Sequence, residues 1–99
     1  MQRMKLFIDT HDRRNGTFPP SIDKEAFSGV FEAYAKACAE EGVVIVNAMV
    51  GAAEGRMFCL NMAPDPEAIR RAHAKVGLAF DSITEVTTAS PGDIYFNWK

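Results

Sequence analysis

The sequence predicts one α+β domain of the ferredoxin-like βαββαβ class, an antiparallel four-stranded sheet with two helices on one face. Two stretches, near residues 22–41 and 65–76, carry apolar side chains at helical spacing. Strand-like stretches stand before, between and after them, and the middle two are joined by a short glycine-containing turn. That order of elements defines the fold class.

Length and composition favour a single domain spanning residues 1–99. Of these 99 residues, 47% are hydrophobic and 24% charged, which suits one small core. We assign residues 4–88 to that core and residues 91–99 to an aromatic C-terminal tail. The net charge of -2 and the scattered Lys and Arg argue against nucleic acid as a partner, because phosphate binding needs a clustered basic surface.

The sequence also predicts a cytoplasmic, soluble protein. No apolar run approaches the roughly 18 residues of a membrane span. The apolar run near the N-terminus is too short for a signal peptide. Two cysteines, Cys38 and Cys59, are too few for a disulfide framework, so a reducing compartment is expected.

The first strand is expected at residues 4–10. Its side chains alternate between two faces, with Leu6 and Ile8 on one and Phe7, Asp9 and His11 on the other. Both faces carry apolar side chains, so the strand should be central and covered on both sides.

The first helix should begin at Ser21 or Asp23, whose side-chain oxygens can accept the free N–H groups of its first turn. Gly42 can end the helix because it adopts positive φ without a Cβ clash. The apolar stripe of this helix comprises Phe27, Val30, Phe31, Tyr34 and Cys38.

A hairpin and a second helix follow. The hairpin strands are expected at residues 43–50 and 56–62. Asp65 can cap the second helix, and Pro66 fits its first position, where a missing N–H is harmless. Its buried stripe should contain Ile69, Ala72, His73 and Val76. The last strand is expected at residues 83–88, and the tail contains Ile94, Tyr95, Phe96 and Trp98.

The predicted topology brings distant polar residues to one end of the sheet. His11 ends the first strand, His73 lies in the second half of the second helix, and Asp81 precedes the last strand. With Asp9, these imidazoles and carboxylates would suit a divalent ion such as nickel, zinc or copper.

Ordinary structural roles are open for the same residues. His73 can be a core histidine, His11 a loop histidine, and Asp81 a cap at the turn into the last strand. The strand alternation also allows His11 to point toward a partner subunit instead of toward His73. No catalytic motif is present, so enzymatic activity is not predicted.

The sequence resembles the small bacterial nickel-binding proteins grouped as DUF4242, over roughly residues 4–88. The resemblance rests on FIDTH at 7–11, GRMFCL at 55–60, APDPEA at 63–68, AH at 72–73, GL at 77–78, Asp81, Ile83 and EV at 85–86. It implies a ferredoxin-like fold that dimerises sheet to sheet as an α/β-barrel, nickel binding in some members, and His11 and His73 as matching positions. The first helix departs from the family pattern, with Phe31 and Tyr34 where members often carry a histidine and an aspartate.

Three hypotheses about function stay open at this point. The first is a metal-binding homodimer, with nickel by resemblance and His11, His73, Asp9 and Asp81 as candidate ligands. The second is a small-molecule binder or cofactor-free monooxygenase of the dimeric barrel kind, whose cavity between two sheets Phe7, Asp9 and His11 would line. The third is a structural dimer module without a ligand.

Overall fold

The computed structural model describes residues 3–91, and its element order confirms the predicted fold class. The elements are β1 (Lys5–Asp12), a 3-10 turn (Arg13–Asn15), α1 (Lys24–Glu40), β2 (Val44–Gly51), β3 (Arg56–Ala63), α2 (Pro66–Lys75) and β4 (Ser82–Glu85). The sheet order is β2-β3-β1-β4, and all neighbouring strands are antiparallel. The predicted aromatic tail lies outside the described residues.

Both helices begin at the residues expected from their capping signals. The side chain of Asp23 accepts the Ala26 N–H at the start of α1, and that of Asp65 accepts the Ala68 N–H at the start of α2. A glycine at positive φ follows shortly after the last residue of each helix, Gly42 after α1 and Gly77 after α2. The helices are one or two residues shorter at each end than the periodic patterns indicated.

The structure corrects the prediction for α1. Tyr34 and Cys38 are buried as expected, but Val30 is 44% exposed. Phe27 and Phe31 are half-buried because the first half of α1 packs beside the loop that follows β1 and leaves a cavity of about 250 Å³, which both rings line.

The strand bounds also differ from the prediction. β1 continues to Asp12, so His11 lies within the strand and does not follow it. β4 has four residues and ends at Glu85, three residues earlier than predicted. A register shift between Ile45 and Asn47 makes a bulge in β2, so the simple alternation of its side chains between the two faces is interrupted there.

The helix-facing side of the sheet is the side that carries Phe7, Asp9 and His11. Phe7 packs in the main core with Tyr34 and Ile69. The sequence left open that His11 points toward a partner subunit, and that interpretation is wrong. For the same reason, Phe7, Asp9 and His11 do not line a cavity between two sheets.

No described residue covers the opposite face of the sheet, so within residues 3–91 β1 is covered on one side only. Its apolar side chains are Leu6, Ile8, Val44, Met49, Phe58, Leu60 and Met62. Within residues 3–91, neither helix has the length and apolar character needed to cross a membrane.

Candidate metal centre

Three polar side chains meet inside the layer between the sheet and the helices. Asp9, His11 and His73 are each 1% exposed or less. One ligand atom from each lies within 4.8 Å of the other two. Fully buried ionisable side chains are rare unless they are paired or bind a metal, so this cluster is the strongest functional candidate among residues 3–91.

Local structure explains why these three meet. Asp9 and His11 are two residues apart on β1 and therefore point to the same side of the sheet. His73 lies on the buried stripe of α2, one turn after Ile69. The Asp65 cap and Pro66 fix where that helix begins, and so fix which of its side chains face the sheet.

Backbone carbonyls set the orientation of both imidazoles. His11 Nδ1 lies 2.7 Å from the Ala79 oxygen and 3.2 Å from the Thr17 oxygen. His73 Nδ1 lies 2.8 Å from the Ile69 oxygen. Because a carbonyl oxygen can only accept, each Nδ1 carries the hydrogen and donates it. Each Nε2 is then the inward-facing nitrogen.

Both inward nitrogens face one carboxylate oxygen. The distance from Asp9 Oδ1 is 2.9 Å to His11 Nε2 and 3.5 Å to His73 Nε2. Asn61 Nδ2 donates to the other oxygen, Oδ2, at 2.7 Å, which holds the carboxylate in this orientation. His73 Nε2 has no hydrogen-bond partner.

The electrostatics of the Asp9–His11 pair follow from this geometry. Burial alone would lower the pKa of His11, but the hydrogen bond to Asp9, the negative charge of Asp9 and the hydrogen bonds to two backbone carbonyls together outweigh it, and the net shift is upward. Burial alone would raise the pKa of Asp9, but the hydrogen bond from His11 and the proximity of both imidazoles together outweigh it, and the net shift is downward. The pair therefore favours an imidazolium beside a carboxylate when no metal is bound.

Aromatic rings enclose His73. The Tyr34 ring lies 4.6 Å from the imidazole and the Phe80 ring lies 4.8 Å from it, between centroids. The His11 ring is 5.6 Å away. Burial raises the pKa of the Cys59 thiol, so this neighbour of Asp9 in the sheet stays protonated and is a poor metal ligand.

Asp81, predicted as a fourth ligand, lies outside the cluster. Its Oδ1 accepts a hydrogen bond from the Thr17 hydroxyl at 2.7 Å, and its N–H donates to the Thr10 oxygen at 2.7 Å. The side chain ties the loop after β1 to the segment just before β4.

Sequence reasoning missed Asn61 and the contact of the Tyr34 ring with His73. Asn61 shares the helix-facing positions of β3 with Met57, Cys59 and Ala63, where an amide is out of place in an otherwise apolar series. That break in the alternation was the available signal. Tyr34 gave none, because a tyrosine on an apolar stripe usually contributes its ring to the core.

The donor set fits a divalent first-row metal ion. Two imidazoles and a carboxylate suit nickel, zinc, copper or iron(II). Two donors at about 2.1 Å from one ion are separated by roughly 3.0–3.4 Å when they subtend 90° to 110°, and the two nitrogen–oxygen distances are 2.9 and 3.5 Å. The partnerless Nε2 of His73 is the kind of atom that a metal would satisfy.

Comparison with known proteins identifies the family and a similar solved structure. The sequence model of the family described as "Nickel responsive protein SCO4226-like" matches residues 7–86. The crystal structure of SCO4226 from Streptomyces coelicolor A3(2) superposes with a TM-score of 0.71 at 27% identity, covering 86% of this chain and 99% of that one. No curated protein sequence matches this chain significantly.

Proposed function

Because the chain belongs to the SCO4226-like family of nickel-responsive proteins, we propose that it binds a divalent transition-metal ion, nickel in the first place. The ligands are Asp9 Oδ1 and the Nε2 atoms of His11 and His73. When bound, the ion supplies a positive charge that the buried carboxylate and the two neutral imidazoles stabilise.

One observation carries this proposal. Both Nδ1 atoms donate to backbone carbonyls, so both Nε2 atoms aim at the same carboxylate oxygen. In the neutral tautomers, two nitrogen lone pairs and an oxygen lone pair then converge on one buried point. A proton on His11 relieves part of that repulsion, whereas a metal ion satisfies all three atoms.

The hydrogen bonds that these three side chains make to surrounding groups also support a metal site. Histidine ligands of metals nearly always donate their second nitrogen to a carbonyl or carboxylate, as His11 and His73 do. The Asn61 amide likewise orients the Asp9 carboxylate by donating a hydrogen bond to its Oδ2. A cytoplasmic location belongs to the proposal, because the buried cysteines Cys38 and Cys59 are free thiols.

Calorimetric titration with nickel tests the proposal, on protein purified without a histidine tag. His73→Gln keeps most of the side-chain volume but removes the ligand, so nickel affinity should fall by more than about tenfold. Asp81→Asn is the matched control, since Asp81 lies outside the cluster, and its affinity should equal that of the wild type. Equal affinities in wild type and His73→Gln would remove His73 from the site, and absence of binding to the wild type would refute the function.

We further propose that the chain forms a homodimer through the uncovered sheet face. Val44 is 53% and Met49 45% exposed there, and half-buried Leu60 lies between them and β1. The charged strand residues of this face, Asp12 and Arg56, are cross-strand partners with Arg56 Nε 3.6 Å from Asp12 Oδ2. Since the charges on this face are paired, a second copy can meet it without like-charge repulsion.

A further inference from the structure

Three buried polar side-chain atoms within the described part of the chain have no hydrogen-bond partner: Tyr34 Oη, Asn61 Oδ1 and His73 Nε2. The three residues that carry these atoms are neighbours around Asp9 and His73. Asn61 donates to Asp9, His73 Nε2 lies 3.5 Å from Asp9, and the Tyr34 ring lies against the His73 ring. Each unsatisfied buried group costs stability, so three together indicate one missing partner and not three separate defects.

A metal ion alone satisfies only one of the three atoms. It would bind His73 Nε2, but the Tyr34 hydroxyl is a hydrogen donor and needs an acceptor. The Asn61 amide is held by its bond to Asp9, and its Oδ1 needs a donor.

We propose that Tyr34 and Asn61 form a subsite for a small non-protein ligand bound to the metal, a water molecule in the resting state. This inference rests on the proposed metal site. Three protein donors leave at least one position of a four- or six-coordinate ion open. A water there accepts from Tyr34 and donates to Asn61, which accounts for both remaining atoms.

The burial of the site limits what can replace that water. Tyr34 and Asn61 are each 1% exposed or less, so the ligand is no larger than a few atoms. A small anion that coordinates the metal through one end can take the place of the water and accept a hydrogen bond from Tyr34, but it offers no hydrogen to Asn61 Oδ1. Tyr34 is thus a positioning residue for the metal's exogenous ligand and not itself a metal ligand.

Azide is the probe for the test, titrated into tag-free protein loaded with cobalt(II) or nickel and followed by visible absorption. In the wild type, azide should shift the metal's absorption bands. Tyr34→Phe keeps the ring but removes the hydroxyl, so azide affinity should fall about tenfold while metal affinity falls far less. Val43→Ala, at another buried position of the same core, is the control for disturbed packing and should change neither affinity.

The outcomes separate this inference from the proposed function. If the wild type binds metal and Tyr34→Phe binds azide as tightly as the wild type, the subsite is refuted and the metal site stands. An absence of any azide-dependent change in the metal-loaded wild type also refutes it, since the coordination is then complete without a small ligand. If the wild type binds no metal, the proposed function fails first. If Tyr34 merely holds a structural water, Tyr34→Phe lowers thermal stability equally with and without metal and leaves azide affinity unchanged.

Discussion

At the residue scale, the buried Asp9–His11 pair makes the stability of the metal-free protein depend on pH. The folded-state pKa of His11 is raised above 6.5, so its stabilising contribution is complete below that pH and is lost as pH rises through the raised value. The folded-state pKa of Asp9 is lowered below 3.8, so its contribution is complete above that pH and is lost as pH falls through the lowered value. The metal-free protein should therefore have its highest Tm between about pH 4 and about pH 6.5.

Nickel should offset the loss of stability that the metal-free protein undergoes as pH rises through the raised pKa of His11. Binding requires both Nε2 atoms unprotonated, so the rise in Tm that nickel produces should grow from about pH 6 to about pH 8. Scanning calorimetry with and without nickel measures both trends. A nickel-induced rise that stays constant over this range would contradict the assignment of His11 as a ligand.

The sequence could predict Asp9, His11 and His73 as candidates for one site but not how they face one another. Asp9 and His11 share a strand face by alternation, and His73 falls on the buried stripe of α2. The face of β1 that meets the helices was not readable, because Leu6 and Ile8 make the other face just as apolar. Asp81 was predicted together with Asp9, His11 and His73 because its sequence position places it at the same end of the sheet. Sequence position does not show which way its side chain points.

At the element scale, Gly55 fixes the β2–β3 turn against the 3-10 turn after β1. It adopts φ +70, and a Cβ there would lie 2.7 Å from the Arg13 Cβ. The Arg13 N–H also donates to the Gly55 oxygen at 2.8 Å. The backbone conformation and the close approach both require glycine.

Gly55→Ala should destabilise the fold by more than about 1 kcal/mol, measured as the midpoint of urea unfolding. Gly29→Ala is the matched control, because Gly29 lies inside α1 with no atom near the added Cβ. Alanine there should stabilise by about 0.5–1 kcal/mol, through its better helix propensity. Equal effects of the two substitutions would contradict the role assigned to Gly55.

Element boundaries were predictable where a side chain defines them. Asp23, Asp65, Gly42 and Gly77 mark the helix ends because each satisfies or permits a specific backbone geometry. β4 was predicted too long because Thr87 and Thr88 favour strands locally, whereas strand length depends on the partner strand. The register with β1 ends at Glu85, and one further hydrogen bond runs from the Val86 N–H to the Leu6 oxygen.

At the scale of the whole molecule, the uncovered sheet face predicts a homodimer that adjacent residues of β2 can test. Met49 lies on the uncovered face, opposite Phe58, while Val50 points to the helix side, opposite Met57. Both are similarly exposed, at 45% and 43%. Met49→Lys should give a monomer, because it buries a charge in the interface, and Val50→Lys should leave the dimer intact.

Sedimentation velocity at micromolar concentration measures this difference. A monomeric wild type, or the same state for both variants, would contradict the proposed interface.

The order of elements was enough to predict the fold, since βαββαβ has a well-defined sheet order. A partner chain that covers one face remains a prediction.

The most direct test of the metal centre is nickel K-edge X-ray absorption on tag-free protein. The fine structure should contain the outer-shell scattering of two imidazoles with only nitrogen and oxygen in the first shell, at about 2.1 Å. In His73→Gln, the imidazole scattering should fall to that of one ring. A sulfur scatterer from Cys59, or an ion surrounded only by oxygen atoms, would contradict the assignment of Asp9, His11 and His73 as the ligands.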